Sequence, residues 1–472
     1  MTATNAKKQT VFDTQGTSYE LDKKIGEGGQ GKVISTNHKN LIIKISDAYS
    51  SEDKRKQDFI QIQQVSRRPI RDLKIALPIA LLKLKNRVGY VMELMDNLES
   101  LSYQIERIQS DNSLDMRVYR DTGGLRRRLS LLCKLAETLS KLHGRGLCYG
   151  DLSPSNIFVS TSSEHQEVWL IDADNIKTQE SSHQASYYTK GYAAPEVIRG
   201  KSENSTWTDC WSFAVIALQI LTHTHPFNSG IAVEDEDPDI AEEKAERGEY
   251  PWIYDADDTN EWAGSGIPLE GLINARLFNL FERCFSQSRV RSGLHLRPSM
   301  SEWYHELLKS HKMLVSCQNT SCNHSFILDQ SDLCFFCGTV ITSEHYLILS
   351  QYFRSNEPLD ESDTPQDIDC NEVLNIGLDD TKSLYDEPYS FYDIETIEPW
   401  CTLKLTKRGL TIIPNKYETV VLVRISDFKE VDIQKERTLP LSSKKQIDYA
   451  IKKSNQLIEA DTSTFFFWRF TW

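Results

Sequence analysis

Long apolar runs are missing from this chain. The longest, Phe213 to Leu221, falls well short of the roughly 20 residues a helix needs to cross a bilayer. The polar start, Met1 to Gln9, carries no apolar signal region, so the expectation is a cytoplasmic protein without membrane association. An excess of positive charge is missing too: 54 Lys and Arg stand against 68 Asp and Glu, a formal net charge of −14. Nucleic acid and anionic lipid are held by clustered Lys and Arg, so both are poor partners for this chain. Ten cysteines at irregular spacing in 472 residues do not make the dense framework of a disulfide-stapled secreted domain. No internal repeat of the solenoid kind is present. The length supports roughly two to four domains with ordinary cores.

What the chain does carry is a set of motifs in a fixed order. Ile25-Gly26-Glu27-Gly28-Gly29-Gln30-Gly31-Lys32-Val33 is glycine-rich, and glycine lets a backbone lie close over phosphates without Cβ clashes. Leu41-Ile42-Ile43-Lys44-Ile45 reads as an apolar strand bearing one Lys, and Tyr90-Val91-Met92-Glu93-Leu94-Met95 as a buried strand running into a connector. Tyr149-Gly150-Asp151-Leu152-Ser153-Pro154-Ser155-Asn156 sets an Asp five residues before an Asn. A second Asp follows in Leu170-Ile171-Asp172-Ala173-Asp174. Downstream come Thr189-Lys190-Gly191-Tyr192-Ala193-Ala194-Pro195-Glu196, an apolar helix opening near Thr208-Asp209, and Leu296-Arg297-Pro298-Ser299.

On these motifs the chain resembles the eukaryotic-like Ser/Thr protein kinases over roughly residues 18 to 312. The resemblance implies an α+β, bilobal kinase-like fold, with an N-lobe over about 18–95 and a C-lobe over about 96–312. It implies that ATP lies against Ile25, Gly26, Gly28, Gly31, Val33 and Lys44, with its adenine edge at Met92, Glu93 and Met95. Asp151 would be the catalytic base, and Asn156 and Asp172 the ligands of Mg²⁺ or Mn²⁺. Thr189 would contact Asp151 and favour Ser or Thr acceptors. Glu196 and Arg297 would form a buried ion pair, and Asp209 would brace the catalytic loop from below. The implied partner is a protein substrate. Zinc-ribbon fusions lacking the usual His-Arg pair look most like bacterial signalling kinases found beside a PP2C-type phosphatase and a von Willebrand-type protein.

The departures from the family carry information as well. Tyr149-Gly150 stands where the family has His-Arg, so a phosphorylated activation segment would lack its Arg, and activity independent of that phosphorylation is expected. Ser153 replaces a Lys near the γ-phosphate, for which Lys190 or Lys32 are candidate substitutes. Ala173 replaces a Phe, and Asp174 reads either as a further metal ligand or as a cap or turn residue. The helix expected over Ser51 to Val65 presents Gln63, not Glu, opposite Lys44. Either Gln63 hydrogen-bonds Lys44, or the helix sits in another register, or the pair is absent. These losses leave two alternatives to an active protein kinase: a pseudokinase that senses nucleotide or scaffolds, and a kinase-fold phosphotransferase for small molecules.

Beyond this region, Cys317, Cys322, Cys334 and Cys337 read C-x4-C, an eleven-residue spacer, then C-x2-C. Four thiolates on two short turns suit structural Zn²⁺, and the stretch 313–345 resembles a zinc ribbon. His324 in place of Cys322, or free or redox cysteines, are the other readings. Residues 1–17 read as a flexible tail and 346–398 as an acidic linker. Residues 399–472 read as a small β-rich domain, with a helix over Lys445 to Ala460 and a terminal strand rich in Phe and Trp. That terminus, the zinc ribbon and an acidic insertion over 233–261 are candidate protein-contact surfaces. A solvated loop with a short helix is the other reading of the insertion.

Overall fold

The computed structural model describes residues 9–28, 31–108, 116–178, 188–227, 237–255, 266–286, 296–328, 333–342, 346–355, 366–386, 389–440, 447–454 and 465–472. It divides into two units. The first comprises Met1–Asp115, Leu135–Ile267 and Leu280–Ser301, and the second Met116–Lys134, Pro268–Asn279 and Glu302–Trp472.

The first unit opens with β1 (Thr10–Phe12), β2 (Ser18–Gly28), β3 (Gly31–Thr36), β4 (Leu41–Ile45), β5 (Ala80–Leu81) and β6 (Gly89–Glu93). They form one sheet in the order β1-β2-β3-β4-β6-β5. Side chains alternate across a strand, and here the two faces bury different partners. Ile43, Ile45 and Val91 pack with Val11, Tyr19, Leu21 and Leu82. Ile42, Tyr90 and Met92 pack with Ile62, Leu81 and Val88 on the opposite face. Strand β1 thus takes in residues 10–12 of the expected tail, because Val11 has a core to enter. Helix α1 (Glu52–Ser66) starts where Ser51 accepts from Lys54 N–H, with Glu52 and Asp53 at the positive end of its dipole. It turns Ile62 and Val65 inward.

The chain continues through β7 (Leu98–Ser100), α2 (Leu101–Ile108), α3 (Met116–Asp121) and α4 (Gly124–His143). Leu129, Leu132, Leu135, Leu139 and Leu142 of α4 are all buried, as the helical period of the sequence predicts. Four short strands follow: β8 (Leu147–Cys148), β9 (Ile157–Ser160), β10 (Val168–Leu170) and β11 (Lys177–Thr178). They give one sheet ordered β10-β9-β7 and a β11-β8 pair. After α5 (Pro195–Ile198) comes α6 (Thr206–Thr222), opened by a Ser205–Thr208 capping box and apolar around its circumference, hence buried. The remaining helices are α7 (Pro238–Glu246), α8 (Ala275–Phe285) and α9 (Met300–Lys312).

The second unit adds β12 (Leu314–Ser316) paired with β13 (Ser325–Ile327). Then come β14 (Tyr346–Ser355), β15 (Gln366–Gly377), β16 (Thr381–Leu384), β17 (Cys401–Thr406) and β18 (Gly409–Pro414). The chain ends with β19 (Val420–Arg424), β20 (Lys429–Ile433), β21 (Arg437–Pro440), β22 (Asp448–Lys453) and β23 (Phe465–Thr471). A six-stranded sheet ordered β15-β14-β23-β22-β19-β20 and a four-stranded sheet ordered β16-β17-β18-β21 share one core. Their inner faces bring Leu349, Leu374 and Trp468 against Leu403, Leu410 and Ile412.

This corrects two readings. The stretch 346–398 is no linker over its described residues, since it supplies β14, β15 and β16. Asp367 sits on an outward position, pairing with Arg354 at 2.6 Å, while Leu347, Leu349, Leu374 and Ile376 point into the core. Residues 448–453, read as part of a helix, form strand β22, with Ile451 in the shared core and Ala450 buried on the opposite face. The aromatic terminus, read as a terminal strand, is a central strand between β14 and β22. Phe467, Trp468 and Phe470 are buried, and Phe466 alone of its phenylalanines is strongly exposed, at 54%.

Candidate active site

Alternation along β4 puts Lys44 on the face of Ile42, opposite Tyr90 of β6 and Val33 of β3. Its ammonium lies 2.9 Å from Asp172 Oδ1 and 2.9 Å from Asp174 Oδ2. Burial works against the charged amine, but the carboxylates of Asp174 and Asp172 outweigh it and hold Lys44 above the usual lysine range. Asp172 sits in the left-handed region, at φ 56° and ψ 51°, a conformation that Asp tolerates better than most residues.

The catalytic-loop motif hangs on α6. Asp209, buried in the first turn of that helix, accepts Tyr149 N–H at 2.6 Å and Gly150 N–H at 2.9 Å, and lies 3.0 Å from His143 Nε2. The Tyr149 phenol donates to the carbonyl of Ile171, which ties the loop to the residue before Asp172. Asn156 donates from Nδ2 to the Asp151 carbonyl at 2.9 Å, and Thr189 Oγ1 donates to Asp151 Oδ1 at 2.8 Å. Burial raises the Asp151 pKa, Thr189 opposes that, and the nearby Asp172 adds to it. Gly150 has φ +90°, and a Cβ there would stand 3.0 Å from the Asn175 carbonyl oxygen. A side chain at the position where the family carries Arg is therefore strained and crowded. Ser153 is fully buried with its hydroxyl 3.0 Å from that of Ser155, so it puts no polar group near a phosphate.

In the glycine-rich stretch, Gly26 pairs with Val33 and Gly28 with Gly31, while Gly29 and Gln30 lie outside the described residues. A Cβ on Gly31 would fall 2.2 Å from the Ile45 carbonyl oxygen, so only glycine lets β3 run this close to β4. Ile25 is exposed beside the strand pair, Met92 is buried, Glu93 is exposed and Met95 half-buried. Lys32 pairs with Glu27 at 3.2 Å and Lys190 with Glu242 at 3.0 Å, so neither candidate substitute for the missing Lys is aimed at Asp151.

Gln63 is not the residue that α1 offers to the site. Its neighbour two positions earlier, Gln61, donates from Nε2 to the carbonyls of Asp174 at 3.2 Å and Ile176 at 2.8 Å. None of the three α1 carboxylates pairs with Lys44: Glu52 meets Arg55 at 2.6 Å, Asp58 the Tyr49 hydroxyl at 2.6 Å, and Asp53 is exposed in the first turn. The sequence reading missed Gln61 and the Lys44–Asp174 pair. The second Asp of Asp172-Ala173-Asp174 was the available signal.

Arg297 and Glu196 form a two-bond buried pair at 2.7 and 2.9 Å, and the guanidinium also lies 4.9 Å from the Trp211 ring centre. The acidic insertion is partly described. Helix α7 sets Glu246 Oε1 3.0 Å from Gly191 N–H, so within the described residues the insertion packs against the Thr189–Glu196 stretch. Residues 233–236 and 256–261 of it lie outside the described residues.

In the second unit, the sulfurs of Cys317, Cys322, Cys334 and Cys337 all lie within 4.8 Å of one another. Cys317 and Cys337 are 3.6 Å apart, and Cys322 and Cys334 3.9 Å. A tetrahedron of thiolates at 2.3 Å from zinc has edges of about 3.8 Å, so the set fits that ion. Burial pushes the Cys337 thiol up, yet hydrogen bonds from Thr339 and the neighbouring Cys317 and Cys322 hold it down at about 6. His324 stacks on Phe336 with ring centres 4.2 Å apart, and its carbonyl accepts Cys317 N–H. It is held by packing, outside the sulfur set.

A β-rich lobe with a buried Lys, a helix-braced Asp loop and an oxygen-rich turn define a protein kinase domain. Residues 19–305 match the protein kinase domain family, more than half of the chain, and the chain belongs to that family. It is 27% identical over 208 residues to the serine/threonine-protein kinase dkf-2 of Caenorhabditis briggsae, covering 43% of this chain and 16% of that protein. It is 24% identical over 222 residues to cyclin-dependent kinase B2-1 of Arabidopsis thaliana, covering 44% and 66%. The serine/threonine-protein kinase pkn2 of Myxococcus xanthus is 31% identical over 109 residues, covering 22% and 13%. The chain thus spans between 13% and 66% of the length of these relatives. The family implies ATP and a divalent cation as ligands. No helix among the described residues is long and apolar enough to cross a membrane.

Proposed function

We propose that the chain is a Ser/Thr protein kinase that transfers the γ-phosphoryl group of ATP to protein hydroxyls. The observation that carries this is the Asp151 carboxylate, half-buried and held by Thr189 Oγ1 at 2.8 Å, in a loop whose carbonyl is held by Asn156. Asp151 accepts the proton of the acceptor hydroxyl, and its raised pKa makes it a better base than an ordinary carboxylate. Lys44 and the Gly26–Gly31 backbone orient the phosphates. Asp172 keeps Oδ2 for a cation while Oδ1 meets Lys44, and Asn156 keeps its amide oxygen, a hard donor pair suited to Mg²⁺ or Mn²⁺. The cation, when bound, neutralises the charge that develops on the phosphates. Met92, Glu93 and Met95 line the adenine edge.

Activity does not require activation-segment phosphorylation in this reading. Gly150 leaves no Arg to receive a phosphate, and Lys177, the buried cation nearby, already pairs with Glu203 at 3.2 Å. Zn²⁺ held by Cys317, Cys322, Cys334 and Cys337 is structural, since four thiolates leave no open position. The likeness to the Myxococcus kinase supports a bacterial setting, in which a PP2C-type phosphatase would be the counterpart.

The test is transfer from labelled ATP with Mg²⁺ in wild type, Asp151→Asn and Asp172→Asn. Labelled protein that disappears in both variants is the expected result. Nucleotide binding without any transfer in wild type would overturn the enzyme reading in favour of a nucleotide-binding pseudokinase. Transfer to small molecules alone would overturn the protein substrate.

A further inference from the structure

We infer that Asp174 is a positioning residue, supplying to Lys44 the carboxylate that helix α1 lacks. The inference rests on the kinase reading above and assigns a role within that same site. Three observations carry it. Asp174 Oδ2 lies 2.9 Å from the Lys44 ammonium, as close as Asp172. No carboxylate of helix α1 pairs with Lys44: Glu52 pairs with Arg55, Asp58 takes the Tyr49 hydroxyl, and Asp53 is exposed in the first turn. Between α1 and the strand bearing Lys44 lies a cavity of about 760 Å³, lined by Asp53, Asp58 and Gln61 of the helix together with Lys44, Tyr90 and Asp174.

The geometry explains why the carboxylate can come from this turn. Asp172 in the left-handed region opens a single 3₁₀ turn over Ala173–Asn175, which carries the 174 side chain back toward β4. Ala173 is fully buried and small, so the turn packs tightly. Gln61 then fixes the turn through its backbone, holding the carbonyls of Asp174 and Ile176. Helix α1 still senses the site, but through an amide on the main chain and not through an ion pair with Lys44. Lys44 is therefore aimed by two carboxylates two residues apart, and displacement of α1 acts on the position of Asp174.

The alternative is that Asp174 is itself a ligand of the divalent cation. Two readouts separate these roles. The first is turnover. Asp174→Asn should lower kcat about thirtyfold with the Mg²⁺ concentration for half-maximal rate unchanged within twofold. Lys44→Met with Asp174→Asn should be no slower than Lys44→Met alone, because the two residues act as a unit. The second readout needs no catalysis. Without metal, Asp174→Asn should bind ATP at least threefold tighter with adenosine affinity unchanged, because one competitor for the ammonium is gone. That gain should fall below twofold in the Lys44→Met background. A tenfold rise in the Mg²⁺ requirement would assign Asp174 to the cation and overturn the proposal. So would an equal ATP effect in both backgrounds, or full activity in Asp174→Asn. If wild type transfers no phosphate while the metal-free signature appears, the kinase reading fails and the Asp174–Lys44 assignment stands.

Discussion

Gly150 occupies the position where related kinases carry Arg, and the structure makes its replacement costly. Its φ of +90° lies in the region open chiefly to glycine, and a Cβ would stand 3.0 Å from the Asn175 carbonyl oxygen. A side chain in such a conformation costs about 1–3 kcal/mol. The carbonyl of Asn175 can yield little, because the same turn is held by Gln61. The neighbouring amides of Tyr149 and Gly150 are clamped by the buried Asp209 at 2.6 and 2.9 Å, so the loop cannot swing away without breaking charge-assisted bonds. Gly150→Ala should therefore lose about 2–4 kcal/mol in urea denaturation of the first unit. Gly150→Arg should lose at least as much, which lowers Tm by roughly 4–16 °C for a unit of this size. Ala isolates the backbone term, and any further loss in Arg reports the crowding of a long side chain. If Gly150→Arg were within about 0.5 kcal/mol of wild type, the loop would be adaptable, and the structural reason for the missing Arg would be wrong.

Three other expectations follow from buried groups. Glu196→Gln leaves Arg297 buried beside one neutral partner in place of a two-bond pair, a change that costs about 3–5 kcal/mol when a buried charge loses its counter-charge, readable as a lowered first thermal transition. Purified protein should hold one Zn²⁺ per chain by elemental analysis, and Cys334→Ser should lose it. Because comparable zinc peptides draw about 10 kcal/mol of folding free energy from the metal, amide exchange across residues 314–342 should rise sharply in that variant. Trp468→Ala should cost about 3–5 kcal/mol in the second unit, since Trp468 is 5% exposed in the core between the sheets. An unchanged stability would return the aromatic terminus to the role of a docking tail.

The parts of this protein most legible in sequence are those whose chemistry needs a fixed spacing. Asp151 and Asn156, five residues apart, meet because a single 3₁₀ turn over Pro154–Asn156 brings the amide back to the Asp151 carbonyl. Lys44 could be read as facing a site because strand period alone puts it with Ile42. The four cysteines announce themselves by two turn-sized gaps. What escaped depended on distance in three dimensions. Gln61, and not Gln63, faces the 173–177 turn, a shift of two residues that turns a helix by about half a revolution. No local pattern fixes that choice in a helix with only Ile62 and Val65 buried. The strands at 346–384 were obscured for a different reason. Their polar residues alternate with few apolar ones, and composition averaged over both faces reads as acidic linker, although one face is core.

The contacts around the Tyr149–Asn156 loop bear on the proposal that activity needs no activation-segment phosphate. In related kinases an Arg before the catalytic Asp waits for a phosphate, and the order of the activation segment follows from that charge. Here Gly150 stands at that position, where a side chain is strained and crowded, the Asn204 amide donates to the Gly150 carbonyl, and Lys177 is already neutralised by Glu203. A phosphate brought to this corner would find no unopposed cation among these residues and would meet Glu203. Tyr149, in place of His, gives its hydroxyl to the Ile171 carbonyl and so joins the Tyr149–Asn156 loop directly to the 171–176 turn. The same turn carries Asp174 to Lys44 and accepts Gln61 from α1. Lys44, Gln61 and Tyr149 thus converge on residues 171–176. Control is then to be sought in contacts that move α1 or α7, the helix whose Glu246 holds Gly191, before it is sought in phosphorylation of the segment between them.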